Sequence, residues 1–196
     1  MKKTDSHSLS IVPYNHLRIS KVTNSIELTD KILFERVEYY FNKGFEKYDL
    51  KDYHGAIEYF TKAIEINPID FNGYYYRGVA KQSSLEYADA IKDYTKAIEI
   101  DDANAYTFNN RGIAKYDLKD YLGAIEDYSR ALKINPVFAF AYNNRGVANF
   151  DLKEYKEAIR DYTKALAISP DYINAYNNRE HAIAWLKDYQ QAENKN

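Results

Sequence analysis

The chain contains no cysteine. That excludes structural disulfides, thiol nucleophiles and thiolate-bound metals, and it suits a reducing compartment. Nor is there an excess of positive charge. The 27 lysines and arginines stand against 29 aspartates and glutamates, a formal net charge of −2, so nothing global favours nucleic acid, whose phosphates call for clustered cations. No apolar run approaches the ~18 residues needed to cross a bilayer, and the mean hydropathy of −0.65 agrees. Met1-Lys2-Lys3-Thr4-Asp5-Ser6-His7-Ser8 is followed by polar residues where a secretory leader needs an unbroken apolar stretch. These absences predict a soluble, cytoplasmic polypeptide with no membrane span.

Catalytic constellations are missing too. His7, His16, His54 and His181 are dispersed, and no two share the spacing of a joint metal site. The glycines do not cluster into a phosphate-cradling loop. Carboxylates are plentiful, but they read as solvated helix faces. The expectation is a protein that is not an enzyme and holds no cofactor and no metal.

What the chain has in abundance is tyrosine, 21 residues, and they are placed, not scattered. Gly44, Gly78, Gly112 and Gly146 recur every 34 residues, as do Ala56, Ala90, Ala124 and Ala158, and Ala63, Ala97, Ala131 and Ala165. Numbering each unit from Val37, Phe71, Ala105 and Ala139, place four is Tyr40, Tyr74, Phe108 and Tyr142. Place seventeen is Tyr53, Tyr87, Tyr121 and Tyr155, and place twenty-four is Phe60, Tyr94, Tyr128 and Tyr162. Place thirty-two is Pro68, Asp102, Pro136 and Pro170, so one unit lacks the proline.

Within a unit these residues fall at three- and four-residue steps, one helical face. A break in phase near Asp49–Tyr53, Asp117–Tyr121 and Asp151–Tyr155 divides each unit into two helices. Asp52 and Asp120 are placed to cap the second, because a short carboxylate accepts the free amide hydrogens of a first turn, and the proline at place thirty-two prevents continuation. Small residues at places eight and twenty let the two helices approach. The aromatics at places four, seventeen and twenty-four are expected to fill seams between units.

This pattern resembles the tetratricopeptide repeat, whose period it shares. The resemblance covers 37–172 in four units (37–70, 71–104, 105–138 and 139–172). It implies an all-α fold, a right-handed α-solenoid of four helix-turn-helix units plus a C-terminal capping helix over 173–190, ahead of a short tail at 191–196. The cap follows from Glu180 in place of the small eighth residue and from the polar Lys187, Asp188, Gln190 and Gln191. Thr29-Asp30 can cap a lengthened first helix beginning at 30, which leaves 1–29 as an N-terminal extension, partly extended or disordered. Within it the apolar segment Leu9 to Ile19 could dock on a surface.

The resemblance further implies a concave face lined by first-helix places two, five, six, nine, twelve and thirteen. At places five and six stand Asn109 and Asn110, Asn143 and Asn144, and Asn177 and Asn178, whereas the first two units hold Phe41 with Asn42 and Tyr75 with Tyr76. Amides carry donors and an acceptor suited to the backbone of an extended peptide, and Tyr75, Tyr76, Tyr106 and Phe140 would add rings that bury area at low entropic cost. Asp49, Asp117 and Asp151 at place thirteen would form a negative rim. Some family members grip a C-terminal carboxylate with lysine and arginine at groove places, and that pattern is not matched here. Arg77, Arg111, Arg145 and Arg179 stand instead at place seven, where they are expected to pack their stems and pair with acidic neighbours.

The expected function is therefore a non-catalytic adaptor or scaffold whose groove binds a segment of another protein or peptide. The competing expectation is a self-assembling homo-oligomer or subunit of a larger complex, in which the N-terminal segment docks on another copy or on its own groove.

Overall fold

The computed structural model describes residues 26–193, and the side chains of 31–191. The proposed docking of Leu9 to Ile19 lies outside the described residues. Among the described residues are nine α-helices and no strand: α1 (Ile26–Asp49), α2 (Tyr53–Ile66), α3 (Phe71–Ser83), α4 (Tyr87–Ile100), α5 (Ala105–Asp117), α6 (Tyr121–Ile134), α7 (Ala139–Asp151), α8 (Tyr155–Ile168) and α9 (Ile173–Glu193). From α3 to α7 every first helix occupies places one to thirteen, and every second helix occupies places seventeen to thirty. The lengthened first helix is present but already runs at Ile26, so Thr29 and Asp30 lie inside it and do not cap its start. The last helix passes residue 190 and reaches Glu193.

The turn inside each unit is built identically. Lys51, Leu85, Lys119 and Lys153, all at place fifteen, have φ of 61°, 67°, 66° and 64°, the left-handed region that usually selects glycine. In the last unit Lys153 N donates to Phe150 O at 2.9 Å and Glu154 N donates to Asn149 O at 2.9 Å. That pair of bonds closes a Schellman turn and satisfies carbonyls that the end of the first helix leaves open. Nothing in the residue types announces this conformation.

Capping follows the chemistry of place sixteen. Gly55 N donates to Asp52 Oδ1 and Gly123 N to Asp120 Oδ1, both at 3.0 Å, each bond satisfying an amide hydrogen that the first turn leaves open. Glu86 and Glu154, longer by a methylene, make no such bond. At the other end, α4 stops at the same place as its counterparts although Asp102 replaces the proline. The stop is therefore shared by all units, and the proline reinforces it without being required.

Two compact bodies divide the described residues, 26–102 and 103–193. In the first, α1 packs on α2 and α3 on α4, with α2 against α3. Its core is aromatic: Phe41, Phe60, Tyr75, Tyr76 and Tyr94 are buried with Val37, Val79 and the place-twenty alanines Ala56 and Ala90. In the second, α5 packs on α6 and α7 on α8, α6 lies against α7, and α9 covers α8. Its buried clusters include Ile113, Ala124, Tyr128 and Ala148, and Ala158, Tyr162 and Ala182.

The rings at place twenty-four do reach into the seams between units, Phe60 stacking on Tyr76 at 5.9 Å and Tyr128 and Tyr162 clustering with Ala148 and Ala182 of the following unit. They also press on the glycine of their own unit. A methyl group on Gly146 would sit 2.7 Å from the Tyr162 ring, and one on Gly112 2.7 Å from Tyr128. Place eight must lack a side chain because place twenty-four carries a large one.

The place-seven arginines do pair with acids, and within their own unit. Arg145 donates from Nε to Asp161 Oδ2 at 2.8 Å and from Nη2 to Oδ1 at 2.7 Å. The same two-bond fork joins Arg77 to Asp93 and Arg111 to Asp127. This planar geometry suits arginine and not lysine. The hydrogen bond to Asp161 raises the Arg145 pKa above its ordinary value. The third guanidinium nitrogen reaches back one unit, from Arg77 to Thr61 at 3.2 Å and from Arg145 to Ser129 at 3.0 Å. Arg179, on α9, donates to Glu180 Oε1 instead.

Candidate protein-interaction site

First helices of successive units touch in the second body, α5 with α7 and α7 with α9. The asparagines of places five and six occur on these helices. Asn178 Nδ2 donates to Asn143 Oδ1 at 3.0 Å, Asn143 Nδ2 to Asn144 Oδ1 at 3.5 Å, Asn144 Nδ2 to Asn109 Oδ1 at 3.1 Å, and Asn109 Nδ2 to Asn110 Oδ1 at 3.3 Å. Five amides thus form one donor–acceptor chain across three helices.

Asn109, Asn110, Asn143 and Asn144 are each 0% exposed. Their expected orientation is corrected by this: the amides turn towards one another, and the hydrogen-bonding capacity read as available for a peptide backbone is used within and between the first helices. The physical reason is that a buried amide without a partner costs about 1–3 kcal/mol, so asparagines a repeat apart satisfy each other. Asn178 is half-buried at the end of this chain, and Asn177 is exposed.

The aromatic candidates divide in the same way. Tyr75 and Tyr76 are buried in the core of the first body, with ring centroids 5.1 Å apart and Tyr76 edge-on to Phe45 at 4.7 Å. They fill space there and do not form an open patch. Tyr106 and Phe140, both at place two, are 38% and 42% exposed.

These two belong to a row that residue numbering alone did not suggest. Tyr106 meets Phe138 at 4.9 Å, Phe138 meets Phe140 at 6.5 Å, and Phe140 meets Tyr172 at 5.1 Å, all edge-on. Phe138 and Tyr172 occupy place thirty-four, just ahead of α7 and α9. Their spacing of one repeat was the available signal, and reading units as closed blocks hid it, because the row joins the end of one unit to the start of the next.

Of the place-thirteen aspartates, Asp151 accepts a short hydrogen bond from the Tyr116 hydroxyl. Burial, together with that carboxylate, pushes the Tyr116 pKa well above the ordinary phenol value, so the proton stays on tyrosine. In the first body the equivalent partner of Tyr48 is Ser83, at 2.9 Å. His181 accepts at Nε2 from Trp185 Nε1 at 2.9 Å and lies beside Phe150, centroids 5.1 Å apart. Among the described residues, no group of three histidines, aspartates or glutamates is gathered as a metal would require, and no helix is long and apolar enough to cross a membrane.

The family model of the tetratricopeptide repeat matches residues 37–70, 105–138 and 139–172, just over half of the chain. The chain belongs to the tetratricopeptide repeat family. The unmatched unit, 71–104, is the one without the place-thirty-two proline. No curated protein matches the sequence.

Solved structures do resemble this repeat protein. A MamA protein crystal structure is 26% identical, with a TM-score of 0.69 over 82% of this chain and 93% of that one. The first tetratricopeptide domain of Spaghetti (RPAP3), bound to the HSP90 peptide SRMEEVD, is 29% identical over 60% of this chain and 93% of that one, with a TM-score of 0.59. PilF of Pseudomonas aeruginosa, at 22% identity and a TM-score of 0.71 over 83% of this chain and 74% of that one, shares the fold.

Proposed function

We propose that this tetratricopeptide repeat protein is a non-catalytic adaptor that binds a segment of a partner polypeptide, with the exposed rings Tyr106 and Phe140 as anchors and Asn177 as a polar contact. The observation that carries the reading is the aromatic row Tyr106–Phe138–Phe140–Tyr172, in which two rings on first helices one repeat apart present open faces. Half-exposed rings backed by the buried Phe138 and the partly buried Tyr172 are pre-positioned, so a partner gains apolar area without the cost of ordering them.

Relatives of similar fold add support, since the Spaghetti domain and the second human RPAP3 domain, 28% identical with a TM-score of 0.53, were each solved with a chaperone peptide. What transfers is capture of a peptide segment. Recognition of an acidic tail does not, because the clamp places five and six hold amides and rings here and no lysine or arginine.

The test is crosslinking mass spectrometry in native cells with the full chain and with Tyr106→Ala/Phe140→Ala. Both rings are partly exposed, so helical circular dichroism should be unchanged. Crosslinks to a partner should fall by roughly tenfold or more if each ring contributes on the order of 1 kcal/mol. Partner crosslinks that persist at full yield would refute the reading.

Self-assembly is the second reading, and α9 favours it, since Ile173, Tyr176, Trp185 and Tyr189 are all exposed there. Light scattering over a range of concentrations separates the two: a monomer throughout leaves only the adaptor.

A further inference from the structure

The first body contains a cavity of about 60 Å³ lined by Phe45, Tyr48, Asp49, Phe60, Tyr76 and Val79. Its walls are mostly rings. Phe45 and Phe60 stand edge-on with centroids 5.4 Å apart, Phe45 and Tyr76 edge-on at 4.7 Å, and Phe60 and Tyr76 are offset-stacked at 5.9 Å. That is room for more than one water-sized group, enough to admit an ammonium group with its last methylene.

Charge decides which small group belongs in it. The lining has one ionisable carboxylate, Asp49, and no basic residue. The three lysines of α1 are engaged elsewhere, Lys31 with Glu35, Lys43 with Glu46 and Lys47 with Asp52. On the facing helix Lys81 is held by Asp93 at 2.7 Å. The Tyr48 hydroxyl is joined to Ser83 at 2.9 Å, which fixes that ring in the wall. Aromatic faces attract a cation through their quadrupole, more strongly as it loses water, and a carboxylate at the same site adds a charge-assisted hydrogen bond. A neutral apolar group of the same size would fit the rings but would gain nothing from Asp49, and an anion would be repelled by both.

We propose that this cavity is a recognition pocket for a lysine side chain of the partner polypeptide, its ammonium held among Phe45, Tyr48, Phe60 and Tyr76 and paired with Asp49. This deepens the adaptor reading and rests on it for the source of the lysine, but it uses residues of the first body that the Tyr106–Phe140 row does not include. The pocket draws on places nine, twelve, thirteen and twenty-four of unit one and on places six and nine of unit two.

The test titrates the full chain with acetyl-Ala-Lys-Ala-amide and with the same peptide carrying norleucine, which keeps the lysine stem and lacks the ammonium, while the Val79 methyl resonances are followed by NMR. The lysine peptide should shift them saturably and bind more tightly than the norleucine peptide. Asp49→Asn, an exposed change that leaves the core intact, should weaken lysine binding about threefold or more and leave norleucine binding as it was. Equal or tighter binding of norleucine, no Val79 shift with lysine, or indifference to Asp49→Asn would each overturn the pocket. The crosslinking experiment on Tyr106 and Phe140 is independent of this titration, so failure of the adaptor reading and failure of the pocket are distinguishable.

Discussion

The two bodies solve one packing problem with opposite chemistry. At places five and six of its first helices, the 26–102 body puts Phe41, Tyr75 and Tyr76, which are buried and meet ring to ring. The 103–193 body puts Asn109, Asn110, Asn143 and Asn144 at the same places, equally buried and joined by amide hydrogen bonds. Rings contribute area and tolerate a range of angles. Amides contribute little area and require a partner at the right distance, because an unmatched one is penalised. The same backbone places can therefore be filled by bulk or by direction, and the two solutions should fail differently.

Exchanging the chemistries is the severest way to break the contrast. Tyr76→Asn removes a ring that touches Phe41, Phe45 and Phe60 and leaves an amide with no counterpart. A loss of about 3–5 kcal/mol is expected, the range for deleting a buried aromatic, measured by urea unfolding followed by circular dichroism. Trp185, the chain's one tryptophan, lies in the other body, so its fluorescence serves as an internal control. A loss below about 1 kcal/mol would mean that rings and amides are interchangeable at this place.

Deleting a link of the amide chain should cost less and show coupling. Asn144→Ala removes the donor to Asn109 and the acceptor for Asn143, for a loss of about 1–3 kcal/mol read by Trp185 fluorescence. Combined with Asn109→Ala, the two losses should fall short of additivity by about 0.5 kcal/mol or more. Strict additivity would show that the amides sit together without acting together.

The place-twenty-four phenols give the smallest and finest contrast. In the first body Tyr94 donates to Gln82 Oε1 at 2.8 Å. In the second, Tyr128 is buried and its hydroxyl has no hydrogen-bond partner among the described residues. Tyr94→Phe should cost about 1 kcal/mol, whereas Tyr128→Phe should be neutral or stabilising. Burial holds the Tyr128 pKa well above the ordinary phenol value. Since its folded pKa is raised, its contribution is complete below the unfolded pKa of about 10 and is lost as pH rises beyond it. Tyr128→Phe should accordingly flatten the alkaline fall in stability, in urea titrations between neutral and strongly alkaline pH. An unchanged slope would show that this phenol ionises freely in the fold.

Much of this protein was set locally and could be read from the residues. The repeat period placed every helix from α2 to α8, because small and large apolar residues at helical spacing define a face whatever surrounds it. Asp52 and Asp120 were recognisable as caps, since a cap bonds within its own first turn. The place-seven arginines could be assigned an acidic partner, although which acid was decided by the hairpin.

What only the tertiary structure decided involves units meeting other units. Asn109 and Asn144 satisfy one another across 35 residues, and an amide's helical position does not reveal whether its partner will be a neighbouring amide or a bound peptide. Tyr75 and Tyr76 occupy groove places by register, yet rings of α1 and α2 close over Tyr76 and Tyr75 is buried against Phe71 and Tyr94 of its own unit. The left-handed turn at Lys51, Leu85, Lys119 and Lys153 left no mark in composition, because hydrogen bonds from the flanking helices hold a conformation that these side chains would not choose alone. Periodicity specified the units, and contact between them determined which side chains remained available for binding.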